Sequence, residues 1–223
     1  MLEISDMETI KNIIFDLGGV IIDIKREAAA TALQELGIEE AERLLGEYEQ
    51  KGVFLLLEEG RLSDAEMYDS LLPLCNDGTT CTDIKTAFEK FLVAIPVERL
   101  RKLDSLRKKG YKLYVCSNTN PIFYNDWIAK AFRQDGKTIN DYFDGIVASF
   151  QELMCKPNPD IFKILIERYG LKPEETIFLD DSAANCASAS SLGIHSKVIT
   201  EQGEDSFDSV TTKLEAGTVP SFL

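Results

Sequence analysis

Residues 12–23 read NIIFDLGGVIID, and this stretch decides the fold. Asn12 to Phe15 is a short apolar run that ends on a carboxylate, Asp16, and then breaks into Gly18-Gly19. Such a run, bounded by glycine, fits a strand buried on both faces that enters a tight loop. Working outward, the same form recurs. Residues 111–116 (YKLYVC) lead into Ser117 and Asn118, residues 145–149 (GIVAS) precede Lys156, and residues 176–180 (TIFLD) end on the pair Asp180-Asp181. Residues 197–199 (KVI) are a weaker fifth run.

Helical patterns separate these strands. VERLRKLDSLRKKG carries apolar Val97, Leu100, Leu103 and Leu106, a basic last turn, and Gly110 as its stop. PDIFKILIERYG opens near Pro159 and closes on Gly170, and SAANCASASSLG is a small-residue helix suited to close packing on a sheet. Apolar strands alternating with helices predict an α/β fold: a Rossmann-like parallel sheet covered on both faces.

Residues 25 to about 93 depart from this rhythm. They offer helical patterns and no convincing strand. REAAATALQELG places Ala29, Ala32, Leu33 and Leu36 on one face, SDAEMYDSLLPL opens with the capping-box pair Ser63 and Glu66, and TDIKTAFEKFLV is a third helix. The expected organisation is an α/β core of residues 1–23 and 94–223, interrupted by an all-helical cap of residues 24–93 that returns near Ile95-Pro96. The acidic helices of the cap read as solvated faces.

In an open parallel sheet, ligands bind at the carboxyl ends of the strands, where the polar residues of this chain collect. The order Phe15-Asp16-Leu17-Gly18-Gly19-Val20, Cys116-Ser117-Asn118, Lys156-Pro157 and Phe178-Leu179-Asp180-Asp181-Ser182 resembles the haloacid dehalogenase-like (HAD) hydrolases over about residues 12–200. The DLGGV and DDSAAN forms look most like the branch of the α-glucose-1-phosphate phosphatases and the phosphatase domain of epoxide hydrolase. The resemblance implies a Mg²⁺-dependent phosphatase of a small phosphorylated metabolite, such as a sugar phosphate, acting through an aspartyl-phosphate on Asp16. It implies a metal site made of Asp16, the Gly18 carbonyl and Asp181, hard oxygens of the kind Mg²⁺ prefers. Ser117 and Asn118 would bind phosphoryl oxygens, Lys156 would neutralise the charge gathered there, and Asp180 would orient Lys156.

One position departs from the family pattern. Most phosphatases of this kind carry a second aspartate two residues after the nucleophile, which protonates the leaving group and then activates water. Here that residue is Gly18. Three readings follow: a phosphatase whose proton comes from solvent, the cap, the substrate or Asp23; a carbon–halogen hydrolase; or a protein that binds a phosphorylated ligand without turnover. The Gly18-Gly19 sequence and the Asp180-Asp181 pair count against the second. Ser117-Asn118 and Asp180-Asp181-Ser182 also have bland readings, as caps of the helices that follow them.

Composition narrows the field further. The chain has 223 residues and a formal charge of −14, which disfavours nucleic acid and anionic membrane as partners. Five cysteines with no CxxC pair read as reduced thiols, and the N-terminus MLEISDMETIKN has no apolar leader, so a cytoplasmic protein is expected. His195, the one histidine, sits in GIHSKV away from the strand mouths and reads as structural. The aromatics Phe123, Tyr124, Trp127, Phe132 and Tyr142 read first as core and second as a substrate rim.

Overall fold

The computed structural model describes residues 10–46 and 50–218; the N-terminal residues before Ile10, and with them most of the leader reading, lie outside that range. In chain order the strands are β1 (Asn12–Phe15), β2 (Asp23–Ile24), β3 (Leu92–Ala94), β4 (Lys112–Ser117), β5 (Gly145–Ala148), β6 (Thr176–Asp180) and β7 (His195–Val198). Five of them form a parallel sheet in the order β5-β4-β1-β6-β7. Phe15 is in register with Val115 on one side and Leu179 on the other, so the ends of β1, β4 and β6 open on the same edge. β1 is the centre from which the chain builds outward in both directions, the position where open α/β sheets form their ligand crevice.

The two-residue side-chain period explains why these strands read as apolar throughout. Ile13 and Phe15 join one hydrophobic cluster with Leu113, Val115, Ile177 and Leu179. Ile14 joins another with Tyr114, Cys116 and Phe178. Each strand therefore buries both its faces, and alternation vanishes from the sequence. The first cluster takes in α6 (Val97–Lys108) and α12 (Phe207–Glu215); the second takes in α10 (Pro159–Tyr169) and α11 (Ala183–Ser190). Gly110, with φ of 98°, follows α6, and Gly170, with φ of 63°, ends α10, as the stop signals require.

The segment between β2 and β3 contains α1 (Arg26–Glu35), α2 (Ala41–Leu45), α3 (Gly52–Glu58), α4 (Asp64–Leu71) and α5 (Cys81–Glu89). Ser63 and Glu66 form the expected capping box on α4, and Thr80 with Asp83 forms a second on α5. The third helix thus begins at Cys81 and ends at Glu89, and part of the stretch expected to be helical is a strand. Leu92–Ala94 pairs antiparallel with Asp23–Ile24, a two-stranded ribbon through which the chain leaves and rejoins the sheet. Strands of two and three residues are too short to show a period, so the absence of strand signal near residues 24 and 93 was misleading.

Stacked rings tie this segment to the part that follows β4. Phe54 of α3 lies 4.5 Å from Phe88 of α5, and Phe88 lies 4.3 Å from Phe123. Lys85 of α5 pairs with Asp126 in the same region. The connection after β4 is a π-helical turn (Phe123–Ile128) followed by α7 (Ala129–Ala131) and α8 (Ile139–Tyr142). Phe123, Phe132 and Tyr142 are buried there, while Tyr124 and Trp127 are half-buried against the same core. His195 opens β7 with Nε2 3.1 Å from the Glu174 carbonyl oxygen, a structural position. All five cysteines are free, and burial pushes the Cys116, Cys155 and Cys186 thiols up to about 12. No helix among the described residues is long and apolar enough to cross a membrane.

Candidate active site

The sheet edge brings together four of the predicted residues with a defined charge pattern. Asp16 follows β1 directly, and its backbone N–H still donates to the Leu179 carbonyl of β6 at 2.9 Å. Lys156 follows α9 (Ser149–Glu152), and its side chain is 1% exposed. Its ammonium Nζ donates to Asp16 Oδ1 at 2.8 Å and to Asp180 Oδ2 at 2.6 Å. A lone buried ammonium would be strongly disfavoured; flanked by two carboxylates, it is held charged, with its pKa raised. Asp180 is fully buried. Its Oδ1 accepts from the Ser182 backbone N–H at 2.8 Å and from Asn185 Nδ2 at 3.0 Å, so both its oxygens are occupied by protein donors. It positions Lys156. Ser182 caps α11, accepting from the Asn185 N–H, which is the capping role the sequence allowed.

Asp181 completes the acidic group. Carboxylate oxygens of Asp16, Asp180 and Asp181 lie within 4.8 Å of one another. Burial, reinforced by neighbouring Asp16 and Asp180, pushes Asp181 up to about 7. Burial likewise raises Asp16 to about 6, against the opposing pull of Lys156. Carboxyls raised this far above 3.8 mark a place where water is scarce and negative charge is crowded. The donor set suits a hard divalent ion: Asp16 and Asp181 offer carboxylate oxygens, Gly18 lines the same cavity, and Asp180 has no oxygen to spare.

Gly19 fixes the approach of Asp181. Its φ is +72°, and a Cβ there would stand 2.2 Å from Asp181 Oδ2. Gly19→Ala is therefore expected to displace that carboxylate and strain the loop. A Mg²⁺ titration of thermal stability should show affinity weakened by about 10-fold or more. Gly18 is different: a Cβ there meets nothing closer than Ile24 Cγ2 at 3.6 Å, so packing does not exclude a side chain at that position.

The β4 loop carries Ser117 and Asn118 to the cavity, and its amide has a second partner in the lysine loop. Ser117 is buried and lines the cavity above Asp16. The Asn118 carboxamide, however, is engaged at both ends: Nδ2 donates to the Lys156 carbonyl at 3.0 Å and Oδ1 accepts from the Lys156 N–H at 2.8 Å. It latches the lysine loop to β4 with one of its two N–H donors, and Asn118 also lines the cavity. The helix cap falls to Asn120, whose Oδ1 accepts from Phe123 N–H at 3.0 Å, and not to Ser117 or Asn118.

Asp23 does not face this cavity. It pairs with Arg99 at 2.7 Å and lines a separate depression beside Thr200 and Phe207. Conversely, the sequence reading missed two residues that do line it. Gln50 and Glu58 are 6% and 7% exposed, and Gln50 Nε2 donates to Glu58 Oε1 at 2.7 Å. The reading of acidic helices as solvated faces fails at Glu58. The signal was its spacing: Phe54, Leu57 and Glu58 stand at i, i+3 and i+4, the buried face of α3.

The chain is similar to known proteins along most of its length. The family model described as haloacid dehalogenase-like hydrolase matches residues 10–193. A D-ribitol-5-phosphate phosphatase of Bacteroides thetaiotaomicron is 39% identical over 184 residues, covering 82% of this chain and 89% of the relative. A HAD-family enzyme from the same organism, solved with magnesium and inorganic phosphate, superposes with a TM-score of 0.80 at 36% identity, over 87% of this chain and 96% of that one. An L-2-haloacid dehalogenase from Xanthobacter autotrophicus superposes with a TM-score of 0.59 at 20% identity, over 95% of this chain and 85% of that one, a likeness of fold alone.

Proposed function

The chain belongs to the haloacid dehalogenase-like hydrolases, and we propose that it hydrolyses a small sugar or polyol phosphate with Asp16 as nucleophile and Mg²⁺ as cofactor. The observation that carries this reading is the floor of the cavity: Asp16, 2.8 Å from a buried ammonium and grouped with Asp181 in a setting that raises both carboxyls. Residues 24–93 act as the cap over a core of residues 1–23 and 94–223. The five free thiols suit the cytoplasm.

In this scheme Asp16 attacks phosphorus, the bond from phosphorus to the alcohol oxygen breaks, and the phosphoryl group rests on Asp16. Water then opens the aspartyl-phosphate, restoring the carboxylate and releasing inorganic phosphate. Lys156 offsets charge on Asp16 and on the phosphoryl group, and the Ser117 hydroxyl donates to a phosphoryl oxygen. Asn118 holds Lys156 in place, and its second amide N–H donates to a phosphoryl oxygen. Asp16, the Gly18 carbonyl and Asp181 would hold Mg²⁺, which when bound would supply positive charge to the phosphoryl group. Neither Gly18 nor the Arg99-paired Asp23 brings a proton to the leaving oxygen, so the alkoxide takes its proton from solvent water.

The test is a metabolite panel assayed for phosphate release with Mg²⁺ and with EDTA. Activity should require the metal and fall by about 100-fold or more without it. Chloride release from 2-chloropropionate without metal would overturn the reading. Thermal shifts add a pH signature. Asp16 and Asp181 have folded values of about 6 and 7, above the ordinary 3.8, so the metal-free fold takes up protons and loses stability as pH rises from about 4 to 7. Mg²⁺ must displace those protons, so its stabilisation should grow between pH 5.5 and pH 8.

A further inference from the structure

We infer that Gln50 and Glu58 form a hydroxyl-recognition pair that selects an uncharged, polyhydroxylated leaving group. The inference rests on the phosphatase reading and adds the chemistry of the other end of the substrate. Both residues line the cavity that has Asp16, Lys156 and Asp181 at its floor. Gln50 Nε2 is taken by Glu58 Oε1 at 2.7 Å, which fixes the orientation of the amide: its oxygen is the atom left over. That Oε1 is buried and has no hydrogen-bond partner among the described residues. A buried carbonyl oxygen without a donor is costly, and the cost is removed when a ligand brings one.

Gln50 Oε1 is an acceptor, so the group that satisfies it must be a donor, and the Glu58 carboxylate beside it adds negative charge. A sugar or polyol hydroxyl fits. A second phosphate or a carboxylate brings no donor and meets the negative charge of Glu58 in a low-dielectric site. The apolar wall beside the pair, made by Leu45, Phe91 and Ile128, can receive the carbon chain between hydroxyls. The floor thus reads the phosphate and this pair reads what the phosphate is attached to, and a site built to bond a hydroxyl rejects analogues that lack it.

The experiment compares kcat/KM for a pentitol phosphate, 3-phosphoglycerate and p-nitrophenyl phosphate in the wild-type enzyme, Gln50→Leu and Glu58→Gln, with Mg²⁺ present. The wild type should prefer the pentitol phosphate to 3-phosphoglycerate, which has the same kind of leaving group. Gln50→Leu should cut the pentitol-to-nitrophenyl ratio by about 10-fold or more, chiefly through KM. Glu58→Gln should narrow the gap between pentitol phosphate and phosphoglycerate by a similar factor. Ratios that stay constant, because all substrates fall together or none changes, would overturn the inference. Gln50→Leu removes the unsatisfied oxygen together with the donor to Glu58 Oε1, so it is read as a ratio between substrates, which a smaller folded fraction leaves unchanged. If the wild type releases phosphate from no substrate, the phosphatase reading itself has failed; if it hydrolyses all three equally, only this inference has.

Discussion

Asp16→Asn is expected to lower phosphate release by about 10⁴-fold or more while leaving the fold intact or slightly more stable. The two halves of that statement come from the same environment. The amide is isosteric with the carboxylate and keeps an oxygen toward Lys156, but it is no nucleophile, so the covalent route closes. The fold does not suffer, because burial already disfavours the charge at this position: the carboxyl is raised to about 6. Removing a charge that the folded state resists relieves it at pH 8, and Lys156 keeps its 2.6 Å partner Asp180. Activity and melting temperature measured on the same preparation separate the outcomes. A variant retaining more than a tenth of the activity would remove Asp16 from the chemistry. A variant that melts far below the wild type would make its role structural.

The fold was legible because its centre is made of strands whose every residue faces a packed layer. Asn12–Phe15 and Thr176–Asp180 carry no ambiguity once both sheet faces are covered. The site was legible for the same reason: a charged residue directly after such a strand has the sheet edge as its position, and the register between β1 and β6 sets Asp16 abreast of Asp180. What stayed hidden depends on contacts across long stretches of chain. The Asn118 amide gives no sign in sequence of its bonds to the Lys156 backbone, which cross 38 positions. Asp23 lies seven residues past the nucleophile, near enough in sequence to suggest a proton donor, yet the ribbon with β3 turns it toward Arg99. Gln50 lies in the connection before α3 and Glu58 ends that short helix, where few periodic positions exist and an acidic residue on the apolar side is easily taken for a solvated one.

Lys156→Met should be the most damaging change to the fold itself. Methionine replaces the volume of the lysine stem and keeps its apolar contact near Phe178, whose ring lies 5.3 Å from the ammonium in the wild type. What it removes is the charge between two buried carboxylates. Breaking a buried pair by deleting one partner costs about 3–5 kcal/mol, and in a chain of this length each kcal/mol lowers the melting temperature by about 2–4 °C. The expected loss is thus about 6–20 °C. Its pH dependence identifies the cause. Without Lys156 the Asp16 carboxyl rises further above its ordinary value, so the folded variant holds a proton that the unfolded chain gives up. Stability then falls as pH climbs from about 4 through the raised value, and the gap to wild type should widen from pH 5 to pH 8. A gap that is the same at both would mean the damage is one of packing, not charge. Orthophosphate gives the functional counterpart. With Mg²⁺ present it should raise the melting temperature of the wild type and leave the variant nearly unmoved, because the cation at the floor of the cavity is what lets a −2 anion approach Asp16, Asp180 and Asp181 at all.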